Sequence, residues 1–225
     1  MIPRLIVNTL GWVVIMGALL FGAAGTTQWP AGWAFLVEMT LLSFVSGIWL
    51  AQHDPALLAE RMTLFVQRGQ RRWDQIFMMC AAVAWIAWLV LMGLDARRFH
   101  WSEVSPWLQG IGGALMAAGI FFVCMVFREN SFASPVVKIQ SERGHKVIDT
   151  GPYAYVRHPM YSCAILYLIG MALMLGSWWG LAFVPAIVAG LGYRAVREEG
   201  VLADQLAGYD AYRSRVRYRL VPYVW

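Results

Sequence analysis

The sequence predicts an all-α integral membrane protein, a polytopic bundle of about six membrane segments, and three observations support this prediction. Hydrophobic residues make up 60% of the 225 residues and charged residues only 14%, and the mean hydropathy is +0.56. A soluble surface of this size needs more charge. The apolar residues form runs of about 20, the length at which a helix crosses a roughly 30 Å hydrocarbon core. The charged residues gather between these runs, so we expect one membrane domain over residues 1–225.

Four apolar segments have the length of a full span and form the predicted N-terminal part, residues 1–127. They cover approximately residues 5–24, 32–50, 76–94 and 107–127. The first is expected to stay in the protein as a helix, because it is long enough to span and no clear small-residue cleavage pattern follows it.

A short helix in the headgroup layer is predicted after the second span. Asp54 is a plausible N-cap, and Pro55 suits the first helical position. Apolar residues recur downstream at helical spacing, while Arg61 and Arg68 take other faces; the apolar positions are Leu58, Met62, Phe65 and Val66. This pattern is typical of an interfacial helix. A short solvated connector is the alternative.

The last apolar run, residues 160–193, is too long for one straight span. Residues 176–180 read Gly-Ser-Trp-Trp-Gly and break it in the middle, so the run predicts a hairpin of two short helices. Pro185 in the second arm predicts a kink. With residues 128–159 and the C-terminal tail, the hairpin forms the predicted core of residues 128–225.

The distribution of basic residues predicts that both termini are cytoplasmic, because lysine and arginine accumulate on that side of a membrane. With the N-terminus inside, 16 of the 18 basic residues fall in cytoplasmic segments and only Arg97 and Arg98 fall outside. The polar loops that carry chemistry then face the cytoplasm, and a bacterial inner membrane or its equivalent is the expected location.

Nucleic-acid binding and a metal or disulfide site are not predicted. The net charge of +5 comes from basic residues that flank apolar spans, with no recognised nucleic-acid module. Cys80, Cys124 and Cys163 lie inside apolar segments, at no metal-ligand spacing and in odd number. We assign them no chemistry.

The longest polar stretch between spans, residues 128–158, ends in a candidate anion site. Gly151-Pro152 marks a turn, and Pro159 biases His158 toward extended backbone. A helix that begins at Pro159 places Arg157 and His158 at its N-terminus, which suits a carboxylate or phosphate. The alternative is that both side chains anchor the helix in lipid headgroups.

Further charged residues appear where the hairpin ends. Glu198 and Glu199 diverge by about 100 degrees on a helix, so one of them is expected to face a given pocket. Arg194 and Glu198 stand at i, i+4 and alternatively form a surface ion pair. In the tail, an extended chain would place four arginines on one face, against lipid or a cofactor; they are Arg213, Arg215, Arg217 and Arg219.

Glu38 is a carboxylate within the second predicted span. Carboxylates are costly in a span and usually face a cavity or a polar partner. Substrate contact and a structural polar contact both remain open for it.

Three ordered motifs between residues 130 and 225 resemble the isoprenylcysteine carboxyl methyltransferase family, which is related to the membrane phospholipid N-methyltransferases. They are residues 144–153, GHKVIDTGPY; residues 157–161, RHPMY; and the pair Glu198-Glu199. Cys163 departs from the family pattern, which often has glycine there. Residues 110–112, Gly-Ile-Gly, superficially match a glycine pair of the phospholipid enzymes, although glycines in a span also permit close helix packing.

The resemblance implies a membrane enzyme that transfers a methyl group from S-adenosylmethionine to a lipidic acceptor, most simply a carboxylate. It carries over seven residues as the cofactor and catalytic region: His145, Tyr153, Arg157, His158, Tyr161, Glu198 and Glu199. Arg157 and His158 are expected at the cofactor carboxylate, and Glu198 or Glu199 at its ammonium or ribose. Tyr153 or Tyr161 is expected against the sulfonium.

Two other functions remain open: an enzyme that methylates an amine, and a membrane protein that is not an enzyme. A carboxylate acceptor needs no general base, whereas a protonated amine acceptor of a phospholipid N-methyltransferase needs one, and Glu198 or His158 would serve. A membrane scaffold or transporter subunit with the same fold would have no reason to gather His145, Arg157, His158 and Glu199 around one cavity.

Overall fold

A computed structural model describes residues 1–63, 66–67 and 69–225, and within these ranges every regular element is helical. The helices are α1 (Ile2–Ala24), α2 (Pro30–His53), α3 (Pro55–Arg61), α4 (Arg72–Gly93), α5 (Pro106–Glu129), α6 (Pro159–Met174), α7 (Trp178–Gln205) and α8 (Tyr209–Arg215). A π-helical turn, Leu94–Arg98, extends α4, and two 3-10 turns, Ser141–Arg143 and Gly151–Ala154, interrupt the long loop. The predicted all-α fold is confirmed.

Five helices of the described chain are long and apolar enough to cross a membrane: α1, α2, α4 with its π-helical extension, α5 and α7. The sixth predicted segment, α6, is a shorter apolar helix of 16 residues. The predicted hairpin of two short helices is wrong in its second arm, because α7 runs for 28 residues and continues through Pro185 to Gln205. This length matters for the site, since the last turns of α7 carry Glu198 and Glu199 beyond the apolar part.

Glycines allow α5 and α6 to pack closely. A Cβ atom at Gly170 would lie 2.5 Å from the carbonyl oxygen of Gly112, and one at Gly112 would lie 2.6 Å from the carbonyl oxygen of Gly170. Gly119 approaches the backbone of α6 in the same way. The packing interpretation of the glycine-rich segment therefore holds at Gly112, whereas Gly110 faces open space.

The predicted interfacial helix begins as expected. The Asp54 carboxylate caps α3 by accepting a hydrogen bond of 2.9 Å from the Leu57 N–H. The helix ends at Arg61, so it is shorter than the pattern through Val66 suggested, and Phe65 and Arg68 lie outside the described residues.

A buried polar cluster fixes the other end of the bundle, at the turn between α6 and α7. Asp95 is fully buried, and its Oδ2 accepts hydrogen bonds from the hydroxyls of Ser102 and Ser177. Ser177 in turn caps α7 by accepting from the Gly180 N–H. The break predicted within residues 176–180 is therefore stabilised by side chains from two loops.

The C-terminal arginines do not share one extended face. Arg213 and Arg215 lie in the short helix α8, and only the chain after Arg215 is non-helical. Their ion pairs are local: Arg213 contacts Asp210, and Arg215 contacts Asp149 of the long loop. The prediction from the every-second-residue spacing failed because Gly208, with φ 84°, starts a new helical turn just before them.

Candidate functional site

A polar cavity lies where the long loop after α5 covers the ends of α6 and α7. Six of the seven residues singled out in the sequence line it: His145, Tyr153, Arg157, His158, Tyr161 and Glu198. They come from the loop, the start of α6 and the last third of α7. The fold therefore brings together polar side chains that are up to 53 residues apart, from 145 to 198, at one end of an otherwise apolar bundle.

The backbone around Arg157 and His158 is held by the C-terminal tail. The Arg157 N–H donates to the Tyr218 carbonyl oxygen, and the His158 N–H donates to that of Arg219, each at 2.9 Å. α6 begins immediately afterwards at Pro159, as predicted. The tail thus fixes the direction in which both side chains leave the backbone.

Glu199 lies behind the cavity wall and holds three cationic or basic side chains. Its Oε1 accepts from Arg157 Nε at 2.7 Å and lies 3.2 Å from His158 Nε2, and Arg219 Nε lies 3.1 Å from Oε2. The Glu199 side chain is only 5% exposed. These contacts use both carboxylate oxygens, so Glu199 orients Arg157 and His158.

Arg157 is largely satisfied by the protein itself. Beyond the bonds to Glu199, its Nη1 donates to the carbonyl oxygens of Val216 and Arg217 at 2.7 and 3.0 Å. Glu199 neutralises the charge of this buried arginine, and the expected role of Arg157 at the cofactor carboxylate stays a prediction.

Glu198, in contrast, faces the cavity. Its Oε2 accepts a hydrogen bond of 2.7 Å from the Tyr161 hydroxyl and lies 3.8 Å from His158 Nδ1. The His158 and Tyr161 rings are stacked, with centroids 5.4 Å apart. Oε1 has no hydrogen-bond partner among the described residues and is not buried. The expectation that only one of the two glutamates faces the pocket fits this geometry, and that one is Glu198.

His145 forms part of the loop that covers the cavity. Its ring stacks on Phe132 with a centroid separation of 4.6 Å, and its Nδ1 accepts from the Gln140 N–H at 3.3 Å. Burial, reinforced by the nearby Arg143 guanidinium, lowers the pKa of His145 below its ordinary value. The neutral ring is therefore the form that suits the folded loop.

Three tyrosines complete the wall. The Tyr153 hydroxyl accepts from Asn130 Nδ2 at 2.7 Å, and its carbonyl oxygen accepts from the Tyr212 hydroxyl at 2.8 Å. Burial raises the pKa of the Tyr153, Tyr209 and Tyr212 hydroxyls, so all three stay protonated. The Tyr209 hydroxyl is buried without a hydrogen-bond partner among the described residues. It is a free donor and acceptor in the wall of the cavity.

Arg194 pairs with a residue that the sequence did not single out. Its Nε lies 2.9 Å from Oδ1 of Asp74 in α4, and its Nη2 donates to the Pro135 carbonyl oxygen at 2.8 Å. Asp74 Oδ2 also accepts from the Val137 N–H. The alternative of a surface pair between Arg194 and Glu198 is therefore wrong: Arg194 is buried and ties the long loop to α4.

Glu38 lies outside the cavity. A Cβ atom at Gly113 in α5 would lie 2.8 Å from its Oε2, so the glutamate packs against the glycine surface of that helix, and its Oε1 is buried without a partner among the described residues. The cysteines Cys80, Cys124 and Cys163 are free thiols.

An apolar groove of about 940 Å³ runs along the membrane helices toward the polar cavity. α4, α5, α6 and α7 all contribute to it, through residues such as Trp88, Ile120, Leu168 and Ile187. Within the described chain, Met160 is the one residue that lines both the groove and the polar cavity. Arg61 lies at the same end of the groove.

Sequence reasoning missed Asp74, Asn130, Tyr209 and Tyr212 as parts of this region. Asp74 follows two arginines at the start of a span, where a carboxylate looks like an ordinary helix-start residue. The tyrosines belong to a tail in which the arginine spacing was the stronger pattern. Only the folded contacts of these side chains mark them.

Residues 107–207 match the phospholipid methyltransferase family model. The chain is 28% identical over 129 residues to the nickel-cobalt-cadmium resistance protein NccN of Alcaligenes xylosoxydans xylosoxydans. This alignment covers 56% of this chain and only 57% of that protein. The chain is 26% identical over 184 residues to the protein-S-isoprenylcysteine O-methyltransferase of Schizosaccharomyces pombe, covering 71% of this chain and 76% of that protein. A solved structure of a eukaryotic isoprenylcysteine carboxyl methyltransferase aligns with a TM-score of 0.47 and 18% identity, over 97% of this chain and 86% of that one.

Proposed function

We propose that the chain transfers a methyl group from S-adenosylmethionine to a membrane-embedded acceptor. The match of residues 107–207 to the phospholipid methyltransferase family model and the similarity to a protein-S-isoprenylcysteine O-methyltransferase support this proposal. The observation that carries the proposal is that Met160 lines both the polar cavity and the apolar groove. A polar cavity with unsatisfied polar groups lies on one side of this residue, and an apolar groove lies on the other. A soluble cofactor and a lipidic acceptor require such a pair of sites.

The polar groups of the cavity fit S-adenosylmethionine, which carries a carboxylate, an ammonium group, hydroxyls and a sulfonium. Lys146 lines the cavity and forms no ion pair with any described residue, so it is the cation best placed for the carboxylate. Glu198 has a free oxygen for the ammonium or a ribose hydroxyl. The unpartnered Tyr209 hydroxyl supplies a further hydrogen bond, and filling it removes a buried unsatisfied group.

The aromatic residues suit the sulfonium. Tyr153, Tyr161 and His158 present ring faces or edges around the cavity, and a cation is attracted to the face of an aromatic ring. Of the two tyrosines proposed from the sequence, Tyr153 has its hydroxyl bonded to Asn130, and two contacts hold Tyr161. Its hydroxyl is bonded to Glu198, and its ring is stacked on His158.

The protein's contribution to methyl transfer is alignment and exclusion of water. When bound, S-adenosylmethionine would supply the methyl group of its sulfonium. The acceptor oxygen would bond to the methyl carbon, and the electron pair of the broken S–C bond would stay on sulfur. A carboxylate acceptor is already deprotonated, so no side chain has to move a proton. The loop that carries His145 closes the cavity from the water side, and the groove admits the acceptor from the bilayer.

Isothermal titration of S-adenosylmethionine into the detergent-purified chain tests the cofactor site. We expect saturable binding by the wild-type protein and about tenfold weaker binding by Glu198→Gln, since a hydrogen bond to a charged group contributes about 1.5–3 kcal/mol. Glu103→Gln changes an exposed glutamate at the other end of the bundle and serves as the control. Absence of binding by folded wild-type protein would overturn the proposed function, and equal affinity in both variants would overturn the role of Glu198.

A further inference from the structure

Arg61 is a cation at the edge of an apolar groove that has no carboxylate partner. None of the ion pairs among the described residues includes it, and the three residues outside the description, Leu64, Phe65 and Arg68, carry no carboxylate. The acid next to it in the chain, Glu60, is committed to Lys138 at 2.7 Å. The positive charge of Arg61 is therefore not neutralised by the protein.

The guanidinium is held in place while keeping donors free. Its Nη1 donates to the Ala133 carbonyl oxygen at 2.9 Å and lies 3.6 Å from Met160 Sδ, and the Phe127 ring lies 4.4 Å from its central carbon. Nε and Nη2 make no hydrogen bond to a described residue, and they are not sealed off. Burial lowers the pKa of Arg61 to about 10, which leaves it charged at neutral pH.

The position of Arg61 joins the two sites. The residue lines the apolar groove, and two of its three contacts, Ala133 and Met160, line the polar cavity. An amphiphile whose tail fills the groove thus brings its polar end to Arg61, and that end lies beside the cavity where the methyl donor is proposed to bind. A half-buried cation with free donors binds an oxyanion strongly, because charge-assisted hydrogen bonds gain strength where water is largely excluded.

We propose that Arg61 binds the oxyanion of the acceptor and makes the protein select anionic acceptors over neutral or cationic ones. The inference rests on the proposed function and narrows its acceptor to an amphiphile with a carboxylate or phosphate end. A protonated amine would meet the positive charge of Arg61 in a poorly solvated place and would be repelled. Arg61 acts as a specificity-determining residue and does not take part in bond making.

The test is equilibrium binding to the full-length protein in phosphatidylcholine nanodiscs. The probe is labelled N-acetyl-S-farnesylcysteine, a carboxylate, and the competitor is its neutral carboxamide, which has the same shape. The variants are Arg61→Gln, which removes the charge, and Arg61→Lys, which keeps it. Arg4→Gln is the matched control, because Arg4 donates to the Met62 carbonyl oxygen beside Arg61 and does not line the groove.

We expect the wild-type protein and Arg4→Gln to bind the acid on the order of ten- to a hundredfold more tightly than the amide. Arg61→Gln is expected to lose that preference, and Arg61→Lys to keep part of it. The acid-to-amide ratio is internal to each variant, so a general loss of folding or of loop packing does not imitate the result. Weakening of acid and amide by the same factor in Arg61→Gln would show a structural tether and overturn the proposal, as would failure of folded wild-type protein to bind the acid.

A second arm distinguishes the acceptor oxyanion from a bilayer phosphate. Phosphatidylglycerol is added to the nanodiscs, and the acid-to-amide ratio is measured again. One outcome would overturn the role of Arg61 toward the acceptor. In that outcome, phosphatidylglycerol weakens binding of the acid and the amide by the same factor in the wild-type protein and has no effect in Arg61→Gln, which would show that Arg61 binds the bilayer phosphate. Failure of the proposed function is separate, since it appears as absent S-adenosylmethionine binding by the wild-type protein.

Discussion

The contacts of Glu199 tie together two segments of the chain behind the cavity wall. One buried carboxylate holds Arg157 and His158 at the start of α6 and Arg219 in the tail. Removing such a partner leaves cations buried without compensation, which destabilises proteins by about 3–5 kcal/mol. A loss of cofactor binding in Glu199→Gln therefore needs a folding control before it is attributed to a missing ligand contact.

His145 predicts a pH dependence of stability. Its pKa is lowered in the folded protein by burial and by Arg143, so between that lowered value and the ordinary value of about 6.5 the unfolded chain binds a proton that the folded chain does not. The contribution is fully present above pH 6.5 and is lost as the pH falls through this window. One proton changes stability by at most about 1.4 kcal/mol per pH unit.

Thermal unfolding in detergent at pH 7.5, 6.5 and 5.5 measures this effect. The wild-type protein should lose stability toward pH 5.5 more steeply than His145→Gln, which keeps a hydrogen-bond acceptor for the Gln140 N–H but does not titrate. Parallel pH curves for the two proteins would show that His145 is not the titrating group.

For single residues, the sequence predicted which side chains lie near one another better than it predicted the contacts that each one makes. The motifs of the family resemblance located six residues that line the cavity, whereas turn residues and proline marked only the segment around Arg157 and His158. The separation of Glu198 from Glu199 depended on which face of α7 meets Arg157. That face is set by the packing of a 28-residue helix and not by the two residues themselves.

Among the helices, the contact between α5 and α6 depends on glycine at defined positions. A methyl group at Gly112 would enter the backbone of α6, whereas one at Gly110 would meet nothing within 4 Å. Gly112→Ala is expected to destabilise the protein by about 1–3 kcal/mol through overpacking, and Gly110→Ala to have little effect. Unfolding temperatures of the two variants in the same detergent check this, and equal temperatures would contradict the close packing.

The element boundaries show where prediction from sequence stops. Four spans and the break within residues 176–180 were predictable, because length, apolar composition and turn residues are local properties. The continuation of α7 past residue 193 to Gln205 was not, because the charged residues that follow the apolar run indicated the end of the membrane segment and not the end of the helix. The helix α8 was likewise hidden by the alternating arginines.

At the scale of the whole molecule, the buried pair of Asp74 and Arg194 joins the N-terminal spans to the C-terminal half. Asp74 begins α4, Arg194 lies in α7, and both bond the backbone of the long loop at Val137 and Pro135. The first 127 residues therefore support the cavity, although the family pattern falls on residues 107–207.

The orientation of the bundle is a prediction from its 16 to 2 distribution of basic residues. In a background without Cys80, Cys124 and Cys163, we expect Glu142→Cys to react with an impermeant maleimide only from the cytoplasmic side of sealed vesicles. Glu103→Cys, at the other end of the bundle, should react only from the opposite side. The reverse pattern would place the cavity outside the cytoplasm and away from a cytoplasmic supply of S-adenosylmethionine.

Because Met160 lies between the polar cavity and the apolar groove, its side chain affects how far water reaches into the groove. A thioether is unbranched, flexible and polarisable, so a methionine between a water-facing cavity and a lipid-facing groove acts as a deformable seal. A rigid β-branched side chain there would block passage, and a small one would let water run into the groove and hydrate any anion held by Arg61. In the proposed reaction, Met160 would let the polar end of an acceptor reach the methyl donor while the rest of the acceptor stays in hydrocarbon.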